Sequence, residues 1–382
     1  MIRHLARDDE EQATRLWSEA FGEDPPPGPP VNPVDRPGRR IHVAELDGRL
    51  VGSVIDREYD SWFGGRQVPT AGIAGVTVAV EQRGAGLLRP LFDACLTEAR
   101  ERGALVSTMF PTAAGIYRRL GYEVVGSLDD LEVPTAELDV AGDAVPLRRA
   151  TVDDVPAIRA VHARWAAQQH GPLTRTGPSF PATDAELVNE FSGITVTEPA
   201  PGHVSGYVSW KRGTGYGESA RLRVADLIAD DRHSLAALLR SLAGHASVAP
   251  FTVIRTSGLE PWRLLLRSNA GRVVHRDPYG LAVLDVAALA AVGYPTAIEA
   301  ELPFRWRGAG HVLTVSGGSA HVAPATVPDD ARTVTDAGLA MAFAGAQSSA
   351  GQRLLGHLTG SGADDATWDA LVSRPFHVRD YF

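Results

Sequence analysis

Residues 76–88 read VTVAVEQRGAGLL, so an apolar β-branched run leads into a glycine turn and then into a helical pattern. Glycine lets the backbone approach a ligand closely because it carries no Cβ. The first turn of a helix leaves N–H donors free, and the helix dipole is positive there. The pattern therefore predicts a strand, a turn over residues 83–86 and a helix whose N-terminus binds pyrophosphate. A tight turn without a ligand would have the same pattern.

The sequence on both sides of this turn predicts an α/β unit over residues 1–130. A short strand at Ile2 precedes an amphipathic helix that ends near Phe21, and an irregular proline-rich loop follows over residues 25–40. An Asp47-Gly48 hairpin turn joins the next two strands. The remaining predicted elements are strands over residues 41–46, 50–59 and 68–80, a helix over 86–102, a strand over 105–110, a helix over 112–120 and a strand over 122–125. Residues 126–145 are predicted to be a polar connector.

A weak internal repeat predicts a second, degenerate copy of this unit over residues 131–284. Residues 146–165 resemble residues 2–21, with a strand, an acidic pair and an amphipathic helix, and Asp153-Asp154 stand where Asp8-Asp9 stand. Strands over residues 206–210, 221–228 and 251–254 and a helix over 234–246 complete the copy.

From about residue 285 the pattern changes to a small α+β domain, predicted over residues 285–382. It contains a helical piece over 287–292, strands over 299–306, 311–315 and 319–323, and helices over 336–343, 349–358 and 364–371. A division into three domains suits a chain of 382 residues, which is too long for one compact core.

Composition excludes several classes of protein. The formal net charge is −9 and no basic stripe dominates, which argues against nucleic acid as a partner and suits cationic small molecules. No apolar run approaches the roughly 20 residues of a membrane span, and no N-terminal apolar segment indicates export. With Cys95 as the single cysteine, no disulfide framework is possible. We expect a cytoplasmic protein that needs neither membrane nor nucleic acid.

Two motifs give a specific resemblance. Arg83-x-x-Gly86-x-Leu88, after a V-x-V strand, resembles motif A of the GNAT acetyltransferases, and residues 117–122, YRRLGY, resemble their motif B. The layout of the whole chain resembles the Eis (enhanced intracellular survival) family, in which a GNAT domain, a second GNAT-like domain and a sterol-carrier-protein-like domain follow one another. The resemblance implies acetyl-CoA as co-substrate, two mixed-sheet GNAT-like domains in tandem, and a homo-oligomer, specifically a hexamer.

The resemblance also assigns residues to the cofactor. A strand edge would offer backbone groups to the pantetheine arm, as it would to an extended peptide, and the glycine turn would hold the pyrophosphate. The predicted cofactor-binding residues are Val76, Thr77, Val78, Arg83, Gly84, Ala85, Gly86, Leu87, Leu88 and Arg89, with Thr112 and Ala113. Val76 and Val78 can also be core residues, because backbone binding leaves their side chains free to pack.

Two residues receive catalytic roles from the resemblance. Tyr117 would donate a proton to the leaving CoA sulfur, and the terminal carboxylate of Phe382 would deprotonate the substrate amine. The implied acceptors are amines of cationic small molecules, aminoglycoside-like in character. The alternatives are that Tyr117 is only packed and that the aromatic tail only docks.

Other candidates are weaker. Trp17, Trp62 and Phe63 could line an acceptor pocket or belong to the core, and Cys95 and Tyr122 are expected in the core. The histidines, including His311 and His321, show no metal-binding spacing, so we expect no metal. A sterol or lipid carrier, and a GNAT-fold protein that binds acetyl-CoA without turnover, remain as alternative functions.

Overall fold

A computed structural model describes residues 1–22 and 32–382. In this described part of the chain, twelve strands form one mixed sheet that runs through both predicted GNAT-like units, in the order β1-β2-β3-β4-β5-β12-β6-β11-β10-β9-β8-β7. Five further described strands form a second sheet, in the order β15-β14-β13-β16-β17. The fold is therefore the predicted α+β arrangement. Residues 23–31, which fall in the predicted proline-rich loop, lie outside the described residues.

The first unit alternates strands and helices as predicted. Its elements are β1 (Ile2–His4), α1 (Glu10–Phe21), β2 (Arg39–Leu46), β3 (Arg49–Phe63), β4 (Arg66–Val78), α2 (Leu88–Glu101), β5 (Val106–Met109), α3 (Ala114–Arg118) and β6 (Glu123–Pro134). The second unit contains β7 (Leu147–Arg149), α4 (Val155–Ala166), α5 (Asp184–Asn189), β8 (Gly193–Thr197), β9 (Gly206–Arg212), β10 (Arg221–Ala229), α6 (Arg232–Ala243), β11 (Phe251–Thr256) and β12 (Arg272–Val283).

The C-terminal unit packs against the first unit through a shared core. Its elements are α7 (Ala288–Ala291), β13 (Ala300–Trp306), β14 (Ala309–Ser316), β15 (Ser319–Pro324), β16 (Arg332–Val334), α8 (Asp336–Ala344), α9 (Ser349–Leu354), β17 (Leu358–Thr359) and α10 (Asp365–Leu371). Phe63 of β3, Tyr279 of β12 and Phe343 of α8 belong to one buried cluster. Among the described residues, no helix has the length and apolar character that spanning a bilayer requires.

The predicted polar connector over residues 126–145 is wrong at its start, because residues 126–134 continue β6. In this strand Leu128, Leu131 and Val133 are interspersed with acidic residues. Such acidic residues are typical of loops when the sequence is considered alone. In the sheet each acid has a basic neighbour: Arg276 Nη2 lies 2.8 Å from Asp129, and both Arg221 and Arg272 bind Glu132.

Two strands of the second unit have no counterpart in the prediction. β8 is one, and the other is β12, which lies between β5 and β6 and pairs with both. Pro278 and Gly280 fall inside β12, and both residue types argue against a central strand. The strand tolerates them because its register with β6 shifts at Tyr279/Gly280.

The structure confirms the internal repeat. In the first copy Arg3 Nη1 lies 2.5 Å from Asp9, which also accepts from the Ala6 N–H at 2.7 Å. In the second copy Arg148 Nη2 lies 2.7 Å from Asp154, which accepts from the Thr151 N–H at 2.8 Å. In both copies a strand arginine and a backbone N–H hold the aspartate at the entrance to the first helix.

Candidate active site

Strands β4 and β5 separate at the centre of the first unit. They pair in parallel from Thr70↔Val106 to Ile73↔Met109. β5 ends there, whereas β4 continues to Val78 with β3 as its strand partner. Within residues 1–22 and 32–382, no strand pairs with the edge of β4 that faced β5 over residues 74–78, which contain the predicted pantetheine-binding residues. A backbone edge of this kind can pair with an extended, amide-containing ligand.

A bulge shapes this free edge. The register of β3 and β4 shifts between Ser53 and Ile55, and Gly75 has a φ of +56°, which favours glycine. Ser53 Oγ donates to the Gly75 carbonyl at 2.8 Å, and Trp17 Nε1 donates to Ser53 Oγ at 2.8 Å. Trp17 thus supports the bulge from α1, which agrees with a packing role better than with an exposed acceptor pocket.

The glycine turn is exposed and open. Gly84 and Gly86 have φ values of +83° and +79°, and a Cβ at either position would meet no atom within 4 Å. Leu87 caps α2 without a side-chain hydrogen bond, and among the described residues no side chain accepts from the N–H groups of Leu88 and Arg89 at the start of this helix. The Arg83 and Arg89 side chains lie exposed on either side of the turn. Open backbone donors at a positive helix end form the geometry that binds a phosphate group.

Tyr117 lies on α3 with only 8% of its surface exposed. Its ring packs 6.0 Å from Phe92, in the cluster that contains Met109 at the end of β5. Burial raises the pKa of the Tyr117 hydroxyl, and a hydrogen bond with the Thr112 side chain opposes that rise. The phenol is therefore protonated at neutral pH and has a proton to donate. Ala113, the other predicted contact in this segment, is the residue that caps α3.

Phe382 packs within an aromatic group beside the end of β5. Its ring centroid lies 5.2 Å from that of Tyr59, 5.3 Å from that of Phe110 and 6.2 Å from that of Tyr279. The Arg57 guanidinium carbon lies 5.8 Å from the centre of the Phe382 ring. The aromatic end of the sequence is thus docked against the sheet.

Tyr117 and Phe382 lie on opposite faces of the sheet at the same end of β5. Ser107 and Met109 point to the face of Tyr117, since Ser107 Oγ lies 2.6 Å from Tyr122 Oη and Met109 shares the Tyr117 cluster. Thr108 points to the other face, where its hydroxyl lies 2.7 Å from that of Tyr59, a neighbour of Phe382. The gap between β4 and β5 is consequently flanked by Tyr117 on one side and by the Phe382 segment on the other.

Buried ionic contacts hold the segment before Phe382 against the second unit. The Arg379 side chain is fully buried, where it pairs with Glu260 and donates to the Arg255 carbonyl oxygen. Arg255 Nη1 donates in return to the Arg379 carbonyl oxygen at 3.0 Å. Arg175 Nε donates to Asp380 at 2.8 Å. Sequence patterns gave no signal for these contacts, because their partners are far apart in the chain.

The weaker candidates fall outside the site. Cys95 is fully buried and burial raises the pKa of its thiol, so it is a core residue as predicted. Tyr122 is likewise core, and Phe63 is fully buried in the core shared with the C-terminal unit. His311 stacks on Phe304 in the second sheet.

Among the residues that the structure describes, one group of side chains has the spacing of a metal site. Nε2 of His4 and Nε2 of His42 each lie 3.1 Å from a Glu98 oxygen. The Arg40 guanidinium lies 3.2 Å from the other Glu98 oxygen. A fixed positive charge at that distance disfavours a bound cation, so hydrogen bonding of the carboxylate is the simpler interpretation of this group.

Comparison with known proteins agrees with this geometry. Residues 1–125 and residues 171–280 match two family descriptions, each reading "Acetyltransferase (GNAT) domain". The chain is 28% identical over 251 residues to an uncharacterized N-acetyltransferase of Streptomyces avermitilis and 28% identical over 248 residues to N-acetyltransferase Eis of Mycobacterium tuberculosis. These matches cover 58% and 59% of this chain and 58% of each relative, so the similarity spans little more than half of those proteins.

Solved structures match over the full chain. A GCN5-related N-acetyltransferase from Anabaena variabilis superimposes with a TM-score of 0.87 at 20% identity, with complete coverage of both chains. Eis1 from Mycobacterium abscessus superimposes with a TM-score of 0.78 at 21% identity, again with complete coverage of both. At these identities the structures establish the fold. The two domain matches identify the chain as a protein with two GNAT domains in tandem, and its curated relatives make it similar to the Eis family of N-acetyltransferases.

Proposed function

We propose that this protein transfers the acetyl group of acetyl-CoA to an amine of a cationic small molecule. The observation that carries the proposal is the gap between β4 and β5, which ends at an exposed glycine turn and an uncapped helix N-terminus. The pantetheine arm would lie along residues 76–78, and the pyrophosphate would lie against residues 83–89. No metal takes part in the proposed reaction.

The proposed chemistry is direct transfer. The amine nitrogen attacks the thioester carbonyl carbon, the new C–N bond forms, and the C–S bond breaks. The terminal carboxylate of Phe382 takes the proton that the amine loses, and Tyr117 supplies a proton to the departing sulfur. The positions of these two residues on opposite faces of the sheet support the scheme, because a thioester between β4 and β5 would separate them. Tyr117 is protonated at neutral pH, which the role of the acid requires.

The acceptor class rests on charge and on family. The net charge of −9 favours encounter with cations, and aminoglycoside-like amines are the acceptors that the Eis resemblance implies. Assembly into a homohexamer has the same basis, and light scattering on the purified protein would measure it.

The two other functions find less support. A lipid carrier needs an apolar cavity, whereas Phe304, Trp306 and Trp368 of the C-terminal unit pack into a buried cluster. In a non-catalytic acetyl-CoA-binding protein Tyr117 would only pack in its cluster, and the Tyr117→Phe variant distinguishes that role from the proposed one.

The test is thiol release from acetyl-CoA with a panel of polyamines and aminoglycosides, with mass spectrometry of the acetylated product. Tyr117→Phe should lower kcat by about 10²–10⁴-fold while the melting temperature stays near that of the wild type. Tyr122→Phe is the matched control, because this tyrosine lies in the same cluster with its hydroxyl bound to Ser107. The control should keep kcat. Wild-type turnover in Tyr117→Phe would eliminate the proposed acid, and no product with any amine would eliminate the proposed function.

A further inference from the structure

Arg39 and Arg57 lie directly opposite each other on neighbouring strands. They are a register pair of β2 and β3, so their side chains leave the same face of the sheet. Like charges in directly opposite positions destabilise a pair of strands. Both residues are partly buried, and solvent therefore screens their repulsion less than it screens exposed charges.

Arg36 adds a third positive charge to this pair. Burial, together with the positive charges of Arg57 and Arg36, lowers the pKa of Arg39 to about 10. Burial also lowers the pKa of Arg57, and the charge of Arg36 contributes to that shift. We call Arg36, Arg39 and Arg57 the arginine cluster. A bound anion would compensate both for the burial of these guanidinium groups and for their mutual repulsion.

The acidic residues of β3 do not serve the cluster. Asp56 and Glu58 alternate with Arg57 along the strand, so they belong to the other face, where Asp56 pairs with Arg102 and Glu58 with Arg40. Within residues 1–22 and 32–382, no aspartate or glutamate forms an ion pair with the cluster. Arg57 Nη2 reaches only a neutral acceptor, the carbonyl oxygen of Ser179, at 3.4 Å.

The carboxylates of the second unit do not neutralise the cluster either. The negative charge of Asp380 reaches Arg57, but Arg175 Nε lies 2.8 Å from Asp380 and Nη1 of the same arginine lies 2.6 Å from Asp226. The charge of Arg255 also acts on Asp380. Arg175 and Arg255 therefore balance these two aspartates, and the positive charge of the cluster remains in excess.

The cluster lies beside the end of the chain. The Arg57 guanidinium carbon is 5.8 Å from the centre of the Phe382 ring. Tyr59, two residues further along β3 and therefore on the same face, packs its ring 5.2 Å from that of Phe382. An anion bound by the cluster would consequently be close to an amine that meets the Phe382 carboxylate.

We propose that the arginine cluster binds a carboxylate of the acceptor, so that the preferred acceptor is an amine with a carboxylate, of the basic amino-acid class. This inference rests on the proposed function, because it names a second group of the same acceptor. A guanidinium group binds a carboxylate through two parallel hydrogen bonds. A basic amino acid has two cationic groups and one carboxylate, so it remains a cation that suits the net charge of −9.

The experiment compares L-lysine with cadaverine, which is lysine without its carboxylate. Isothermal titration of the full chain is performed with saturating CoA, which has no acetyl group to transfer. Lysine should bind about tenfold to a hundredfold more tightly than cadaverine, because hydrogen bonds between charged groups are the stronger ones. With acetyl-CoA in place of CoA, kcat/KM for thiol release should favour lysine by a similar factor.

Two variants assign the preference to the cluster. Arg57→Gln and Arg39→Gln should each lower lysine affinity to about that of cadaverine, whereas cadaverine should bind at least as well as it binds to the wild type. Without ligand their melting temperatures should not fall, because each substitution removes a like-charge contact. Arg223→Gln is the matched control, since Arg223 is an exposed strand arginine paired with Asp130, and it should keep the preference for lysine.

Equal affinity of the wild type for lysine and cadaverine, or no binding of either, would overturn the proposal. A preference for lysine that persists in both cluster variants would overturn it as well. The titrations with CoA do not depend on turnover. Tight lysine binding that both variants lose, without acetylation of either amine, would therefore support the carboxylate site and count against the proposed acetyl transfer.

Discussion

Removal of the Glu260 carboxylate tests how the end of the chain is held. Glu260 is the acidic partner of Arg379, whose side chain has no exposed surface. Removing one partner of a buried ion pair leaves a buried charge and costs about 3–5 kcal/mol. In Glu260→Ala this cost should appear as detachment of the chain end, because solvent around the released segment can hydrate the Arg379 guanidinium.

The expected magnitude follows from that free energy. About 3 kcal/mol multiplies the population of the detached state by about 10². The His377 amide is the reporter, because its N–H donates to the His170 carbonyl oxygen at 2.8 Å only while the segment is docked. Its hydrogen exchange should accelerate by about 10²-fold in Glu260→Ala, since exchange follows the free energy of local opening. Amides in the centre of β3 should keep their protection.

The matched control is Glu190→Ala. Glu190 pairs with Lys211 at 3.2 Å, and both side chains are at least half exposed. An exposed pair contributes about 0–1 kcal/mol, so exchange at His377 should not change. If Glu260→Ala also exchanges at the wild-type rate, the buried pair does not anchor the segment and the reasoning is refuted.

Three further predictions concern the cofactor, the chain end and pH. Gly86→Val should weaken acetyl-CoA binding at least tenfold by titration, because valine is strained at a φ of +79° and its side chain would enter the open ligand side; unchanged affinity would argue against this turn as the pyrophosphate site. One glycine added after Phe382 converts its carboxylate into an amide and should abolish turnover while acetyl-CoA binding persists, whereas an N-terminal addition should be harmless; an active extended enzyme would exclude the carboxylate base. Burial, together with the positive charge of Arg374, lowers the pKa of His170 to about 4. Below about pH 6.5 the unfolded chain therefore binds a proton at His170 that the folded chain does not bind. The free energy of unfolding should consequently fall as the pH drops from 6.5 towards 4. The test is His170→Asn, because the asparagine amide oxygen can still accept from the Gly64 N–H. Between pH 7 and pH 5, the free energy of unfolding measured with denaturant should fall by about 2 kcal/mol less in this variant than in the wild type. An equal fall in both proteins would contradict the assignment to His170.

The local pattern of the sequence determined the strand, turn and helix around residues 76–88. β-branched residues, glycines and helical periodicity act over a few residues, so they can be read without tertiary contacts. The repeat of Asp9 and Asp154 was visible for the same reason, since each aspartate binds an arginine and a backbone N–H close by in the chain. Tyr117 was found through its motif, although its burial was not visible in the sequence.

The meeting of distant segments could not be predicted from the sequence, because it depends on contacts between separate elements. β12 contains Pro278 and Gly280, and its strand conformation depends on pairing with β5 and β6 on its two sides. The sequence of β6 resembles a polar loop, whereas in the sheet its acidic side chains pair with arginines of neighbouring strands. The docking of Phe382 depends on contacts between residues more than a hundred positions apart, such as Arg379 with Glu260. Such contacts have no local periodicity, because burial and charge pairing between separate elements create them after the chain has folded.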